Sequence, residues 1–420
     1  MTIFTELESE VRSYSRAWPV VFDRAEGSRL YSEDGRPYLD FFAGAGALNY
    51  GHNNPVLKEV LLDYLRRDGV SHALDMFTVA KRDFLQTFDD LVLRPRSLDY
   101  KVVFPGPGGA NAVEAALKLA REVTGRHQVV SFTNSFHGMT LGALAVSGNA
   151  VKRAAAGVPL AHTTPMPFDG YLDGGPPDSR YLERMLSDAG SGLDRPAAVV
   201  VETVQGEGGL HAARAEWLRD LAELCRAHGV LLIVDDVQMG CGRTGAFFSF
   251  EDAGIVPDMV CLSKSIGGYG LPMALTLVRR ELDVWQPGVH NGTFRGVSPA
   301  FVTGAQALRT YWSDEGLEKS TKAKGERVAA ALEDIAAEHR GAGLRVRGRG
   351  LALGLRFGVE GAATEVCAAA FERGLLVETS GAGDDVVKLL PPLTTTDDEL
   401  DEGLRVIRTC VGAVLTRSRH

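Results

Sequence analysis

The chain has 420 residues, 45% hydrophobic and 24% charged, ordinary usage for a folded protein; a small disulfide module, a disordered chain and a coiled coil are excluded. The formal net charge is −9, with Lys and Arg scattered singly, which argues against a nucleic-acid footprint and against an anionic membrane as partner. Residues 1–16 are polar and rich in Glu, no apolar run reaches the ~18 residues of a membrane span, and the five cysteines form no Cys-x-x-Cys pair. A cytoplasmic enzyme acting on small molecules, without a metal site, is the expectation.

In chain order, a glycine-rich N-terminal segment is followed from about residue 100 by β-branched runs alternating with helical patterns. This is the signature of an α/β fold with a mostly parallel sheet covered by helices. Strands are predicted at 101–104, 128–132, 197–201, 230–234 and 259–262, and helices at 111–123 and 213–227, the second with Leu218, Leu221 and Leu224 on one face. After about residue 310 come a long helix at 320–339, short strands within 350–357 and a helix at 397–415, which read as a smaller α/β C-terminal domain.

In open parallel sheets a ligand sits beyond the carboxyl ends of the strands, so the residues after each apolar run matter most. Asp235 follows one run, Ser263-Lys264-Ser265 another, and Phe136-His-Gly138 a third, while the first enters Gly106-Pro-Gly-Gly-Ala-Asn111 at a helix start. Taken singly, Asp235 reads as a cap or ion-pair acid and Lys264 as a solvated lysine. Phe136 reads as core, and Asn111 as an N-cap with Glu114 completing a capping box. Together they describe one ligand. Backbone amides of Gly109, Ala110 and Asn111 suit a phosphate, Phe136 a flat ring, Asp235 a protonated ring nitrogen, and Lys264 an imine with an aldehyde. That ligand is pyridoxal 5′-phosphate (PLP).

The sequence resembles the class III (ω-amino acid) aminotransferases, fold-type I PLP-dependent transferases, over essentially its whole length. The resemblance rests on Phe136-His-Gly138, Glu202-Thr-Val-Gln-Gly-Glu-Gly-Gly209, Asp235-Asp-Val-Gln238 with Gly240-Cys-Gly-Arg-Thr-Gly245, Ser263-Lys-Ser-Ile-Gly-Gly268 and Gly292-Thr-Phe294. It implies that Lys264 binds the cofactor covalently and shuttles the proton, that Asp235 pairs with the ring nitrogen, and that Gln238 meets the ring hydroxyl. His137, Glu202 and Val237 join the cofactor site, and Thr293 reaches the phosphate of a neighbouring subunit, so a homodimer or higher homo-oligomer is implied. The implied domains are a large PLP-binding domain at 56–310 and a small domain at 311–420 joined by the N-terminal segment 1–55.

Within the family, the stretches at 4–14, 41–55, 71–76 and 290–295 resemble the branch that makes 2,4-diaminobutyrate for ectoine biosynthesis from aspartate 4-semialdehyde and glutamate. Two positions depart from that pattern: Ala110 stands where a hydroxyl side chain is expected in the phosphate turn, and Val297-Ser298-Pro299 replaces an Asn-containing stretch. The resemblance places substrate contacts at Leu48, Glu207 and Lys388, with Glu207 gating a basic residue that is Lys388 here rather than Arg. Asp236 and Asp75 are further acids suited to a second substrate ammonium. A requirement for a monovalent cation such as potassium stays open. Other readings on the same scaffold are an ornithine or γ-aminobutyrate aminotransferase and a PLP-dependent racemase or aminomutase; Met139, where γ-aminobutyrate enzymes carry Arg, disfavours γ-aminobutyrate. A nicotinamide dehydrogenase is disfavoured because neither Gly44-Ala-Gly46 nor Gly106-Pro-Gly108 completes Gly-x-Gly-x-x-Gly between a strand and a helix.

Overall fold

A seven-stranded sheet lies at the centre, in the spatial order Tyr100–Val103, Leu275–Arg279, Met259–Leu262, Leu231–Asp235, Ala198–Val201, Val129–Phe132 and Thr163–Met166. Only Leu275–Arg279 runs against its neighbours. The computed structural model describes residues 2–172 and 179–417. Val129–Phe132, Ala198–Val201 and Met259–Leu262 are buried throughout, which is why they read as apolar runs broken only by Ser131: helices cover both sheet faces. The five predicted strands appear within a residue of their expected ends. Two others escaped prediction. Thr163–Met166 is a half-buried edge strand containing Pro165, and Leu275–Arg279 returns antiparallel after a connection that holds only a short 3-10 turn and no crossover helix.

The helix Gly109–Thr124 lays Ala112, Val113, Ala116 and Ala120 on the sheet, small side chains that let it approach closely, and Gly125 ends it at φ +65°. The capping box that Asn111 and Glu114 offer when read singly does not form. The helix starts two residues early, the Asn111 side chain accepts the Gly108 N–H at 3.1 Å, and Glu114 instead accepts from Thr140 and from the Ala143 N–H. Glycine at 108 and 109 places no side chain in the turn, so the helix extends back to where Asn111 closes it. Ala215–His228 buries Trp217, Leu218, Leu221 and Cys225, leaving Leu224 at the margin.

The chain ends interleave. Phe22–Glu26, Arg29–Ser32 and Pro37–Asp40 form an antiparallel sheet to which Leu375–Leu376 adds in parallel. A second antiparallel sheet runs Arg345–Arg349, Ala352–Arg356, Val386–Leu389, Glu378–Ser380, with Gly316–Glu338 packed against it and against Asp397–Arg417.

One buried guanidinium ties these parts together. Arg243 is fully buried and donates to the carbonyls of Leu351 and Pro391 and to the side chain of Asn49. Burial pulls its pKa down to about 9, with Asp40 opposing. Arg243→Met is expected to destabilise the fold by roughly 3 kcal/mol or more, because buried acceptors from two chain regions lose their donor at once. Urea titration measures this; a loss under about 1 kcal/mol would mean that water satisfies those acceptors.

Candidate active site

The carboxyl ends of the central strands open into a cavity of about 180 Å³. Asp235, the last residue of Leu231–Asp235, lines it and is almost fully buried. One carboxylate oxygen faces His137 Nδ1 at 2.7 Å and the other accepts the Val237 N–H at 3.1 Å. Burial alone would lower the His137 pKa, but Asp235 reverses this and holds it above its ordinary value. Glu202 accepts the Phe136 N–H at 2.9 Å and is pushed up to about 8 by burial. The Phe136 ring borders the cavity, with the Lys152 ammonium 4.4 Å from its centroid.

Lys264 opens the short 3-10 turn after Met259–Leu262 with φ +53°, a left-handed conformation that costs a non-glycine residue ~1–3 kcal/mol and is characteristic of functional sites. Its Nζ donates to the Ala45 carbonyl at 2.7 Å. Ala45 sits in a left-handed turn, with φ of +48°, +60°, +56° and +81° at Ala43, Gly44, Ala45 and Gly46. The same carbonyl accepts from Gln238 Nε2 at 2.9 Å, and Gln238 also donates to Glu207 at 3.1 Å. Gly206 makes room for that amide: a Cβ there would stand 1.7 Å from Gln238 Oε1. Burial lowers the Lys264 pKa to about 8, with Glu207 opposing and Lys388 reinforcing the shift.

Beside the amine lies an ion cluster. Lys388, fully buried on Val386–Leu389, places Nζ 2.7 Å from Glu207 and 3.0 Å from Glu378, its cross-strand partner. Burial disfavours the Lys388 charge, but the two carboxylates outweigh it and hold the ammonium protonated well above its usual range. Glu207, despite its own burial, is held below the usual carboxylate range by Lys388.

Residues 11–411 match the family model described as "Aminotransferase class-III". The chain belongs to the class III aminotransferases. It is 66% identical to the diaminobutyrate–2-oxoglutarate transaminase of Streptomyces anulatus, over 98% of this chain and 97% of that one. It is 54% identical to the enzyme of the same name from Halalkalibacterium halodurans, over 99% and 97%. Among solved structures it resembles the ornithine aminotransferase of Toxoplasma gondii, at a TM-score of 0.85 and 25% identity, covering 99% of this chain and 95% of that one. The α/β architecture is thus the fold-type I aminotransferase fold.

The cofactor of this family is PLP, and the residues fit it. Gly109 and Ala110 present a helix N-terminus to the cavity, where first-turn amides have no helical acceptor and the dipole favours an anion. The buried Gln238 Oε1 has no hydrogen-bond partner among the described residues and is suited to a ring hydroxyl. Asp235 is a buried carboxylate suited to a ring N–H.

Gly109, Ala110, Phe136, His137, Glu202, Asp235, Val237, Gln238 and Lys264 thus meet in one cavity, and Glu207 lines its side. Other expected positions fall elsewhere. Asn111 turns back on its own helix start, its N–H donating to the Gly108 carbonyl at 3.0 Å. Leu48 packs toward Gly44 and Gly270 and does not line the cavity. Thr293 also stands outside the cavity of its own chain, its carbonyl accepting from His72 Nε2 at 2.6 Å. Asp236 is a buried structural acid held by the N–H and hydroxyl of Ser249, and Asp75 is exposed. Sequence reasoning missed the Ala45 carbonyl, Glu378, and Tyr14, whose hydroxyl lies against Glu378. The signal for the first was present: Gly44-Ala-Gly46, set aside as a failed dinucleotide motif, is the left-handed turn that aims the carbonyl at Lys264.

Proposed function

We propose that this aminotransferase interconverts L-aspartate 4-semialdehyde plus L-glutamate with L-2,4-diaminobutyrate plus 2-oxoglutarate, as in ectoine biosynthesis. The observation that carries the reading is the Glu207–Lys388 pair at the wall of the cavity that holds Lys264. The enzyme must seat glutamate by its carboxylates in one half-reaction and a diamine in the other. While Glu207 covers Lys388 the wall is acidic and suits an amine-bearing end; when Glu207 swings aside the buried ammonium is exposed to a carboxylate. The relatives named for this activity at 54–66% identity over nearly their whole length support the same substrates.

When bound, PLP supplies an electron sink for the charge left on the substrate carbon after proton removal. Lys264 would remove that proton from the amine-bearing carbon and hold it for return, a task suited to an amine with a pKa of about 8. Asp235, oriented by His137 and the Val237 N–H, would hold the ring nitrogen of the bound cofactor protonated. Phe136 and Val237 exclude water from the ring position.

We further place the enzyme in the cytoplasm as a homodimer in which Thr293 serves the partner's cavity. The segments around Phe77 and Phe294 support dimerisation: they meet through a bridge between His72 and Val297, with Phe77 wholly exposed and Leu74, Met76 and Val79 exposed beside it. Five free cysteines accord with a reducing compartment, and no helix among the described residues is long and apolar enough to cross a membrane. The interleaved chain ends support a small domain at 311–420 built together with 1–55 around a large domain at 56–310; residues 1, 173–178 and 418–420 lie outside the described residues.

The test is a set of single half-reactions. The PLP-loaded enzyme is mixed separately with 2,4-diaminobutyrate, glutamate, γ-aminobutyrate and ornithine, and the loss of the cofactor's aldehyde absorbance is followed. Fast conversion with both diaminobutyrate and glutamate is expected. Conversion with glutamate alone would refute the diaminobutyrate assignment, and no conversion with any would favour a racemase or aminomutase.

A further inference from the structure

When Glu207 swings away from Lys388, its largely buried carboxylate needs another cation, because a charge parted from its partner inside a protein is costly. The backbone of the turn is fixed. A Cβ at Gly208 would stand 2.0 Å from the Asn134 carbonyl oxygen, and the Glu207 carbonyl accepts the Gly381 N–H at 3.1 Å, so only the side chain can turn. Glu207 borders two spaces: the main cavity and a crevice of about 20 Å³ that shares Phe136 with it. That crevice has room for a group of a water's size and none for a substrate. Among the described residues that line it, Glu207 is the one acid and Lys152 the one cation. Lys152 stands on the short helix Ala150–Ala154, where the Asn149 side chain accepts its N–H at 2.9 Å and Arg153 ties the helix to the carbonyls of Leu144, Ala145 and Ser147. Its ammonium lies 4.4 Å from the Phe136 ring centroid and makes no ion pair or hydrogen bond among the described residues. An ammonium resting on a ring face is weakly held and keeps its donors for an incoming anion.

We propose that Lys152 is a positioning residue of the glutamate half-reaction: it receives the Glu207 carboxylate when the gate opens. This rests on the Glu207–Lys388 gate and deepens it. In the closed state Glu207 pairs with Lys388 and Lys152 lies on the Phe136 ring, the arrangement used by the amine-bearing substrate. In the open state Glu207 turns into the crevice and pairs with Lys152, and Lys388 is left to a carboxylate of glutamate. Glu207 thereby keeps a cation in both states, so opening exchanges one partner for another and leaves no bare charge. The long, flexible lysine stem lets the ammonium leave the ring and meet the acid without any movement of the backbone.

The test compares the two half-reactions in the PLP-loaded enzyme and in Lys152→Met, which keeps the apolar stem and removes the charge. The KM for glutamate is expected to rise about tenfold while that for diaminobutyrate stays within about threefold. Lys152→Arg should keep most of the wild-type value. Glutarate, a dicarboxylate with no amine to react, gives the same comparison by calorimetry: its Kd should rise about tenfold in Lys152→Met. An unchanged glutamate KM, or an equal loss in both half-reactions, in a Lys152→Met protein with wild-type thermal melt and cofactor absorbance would overturn the proposal. Glu207→Gln closes the cycle. With no carboxylate left to receive, adding Lys152→Met should change the glutamate KM by less than about twofold. A tenfold loss in that background too would mean that Lys152 binds glutamate directly, and would also overturn the proposal. If Glu207→Gln alone leaves the preference between glutamate and diaminobutyrate unchanged, the gate itself fails; if it shifts the preference and Lys152→Met does nothing, only the role of Lys152 fails. If the wild-type enzyme does not convert diaminobutyrate, that substrate assignment fails, and the glutamate and glutarate constants still decide the role of Lys152.

Discussion

Replacing Lys264 by alanine is expected to lower turnover by about 10⁴-fold or more while the protein still folds and still binds PLP non-covalently. The substitution isolates the amine. Lys264 is held at φ +53°, and alanine meets the same backbone cost there, so the strain of the turn is unchanged; glycine would relieve it and confuse the comparison. The helix-start amides at Gly109 and Ala110, the Gln238 side chain and Asp235 all remain, so equilibrium dialysis should detect bound cofactor without the absorbance of its lysine adduct. Retained multiple turnover would refute the assignment. The wild-type amine gives a second reading of the same group. Covalent capture of added PLP by the cofactor-free protein requires the neutral amine, and burial sets that pKa at about 8. Protonation therefore suppresses capture below that value: the rate should rise about tenfold per pH unit up to pH 8 and level off above it. A rate independent of pH down to 6 would place the amine pKa much lower than burial in this cavity implies.

The parts of this site that could be read in the sequence are those delivered by strand ends. Asp235, Lys264 and Phe136 follow buried runs, and a parallel sheet brings such ends to one edge whatever the connecting loops do. What escaped depends on pairings that composition does not encode. Glu378 meets Lys388 because two strands pair in one register, and a slip of one residue would turn Glu378 to the other face. Tyr14 arrives from the opposite end of the chain. Ala43 and Ala45 adopt left-handed backbone without any residue type that favours it, so only the flanking glycines hint at the turn. Asn111, expected to offer its amide to a phosphate, departs for a local reason: glycines before it let the helix begin earlier, so its N–H donates to the Gly108 carbonyl and its side chain closes the turn. Asp236 and Asp235 were equally acidic neighbours in the sequence. The strand's alternation separates them, sending Asp235 to the cavity and Asp236 to Ser249.

Asp235→Asn should separate catalysis from folding. The carboxylate accepts the Val237 N–H and faces His137 Nδ1, and it holds the His137 pKa above its ordinary value against burial. An Asn oxygen still accepts from Val237, but its amide then points N–H groups at His137, which must release its Nδ1 proton to accept. The displaced proton would sit on His137 Nε2, a buried atom with no partner among the described residues, so the structural cost is that of one poorly satisfied group, about 1–2 kcal/mol. The rate should suffer far more. Removing a fixed charge aimed at the position where charge develops costs ~10²–10³-fold, and on the proposed role the lost group would also keep the ring nitrogen protonated. Turnover falling by at least about a hundredfold, with a urea midpoint that moves by no more than that modest cost, is the expected pair of results. Losses of equal free energy in both would make Asp235 a structural acid. A cofactor analogue methylated on the ring nitrogen distinguishes the cases further: its positive charge is permanent, so it should restore activity to Asp235→Asn if the carboxylate's task is to maintain that charge, and should restore nothing if the task is to hold His137 in place.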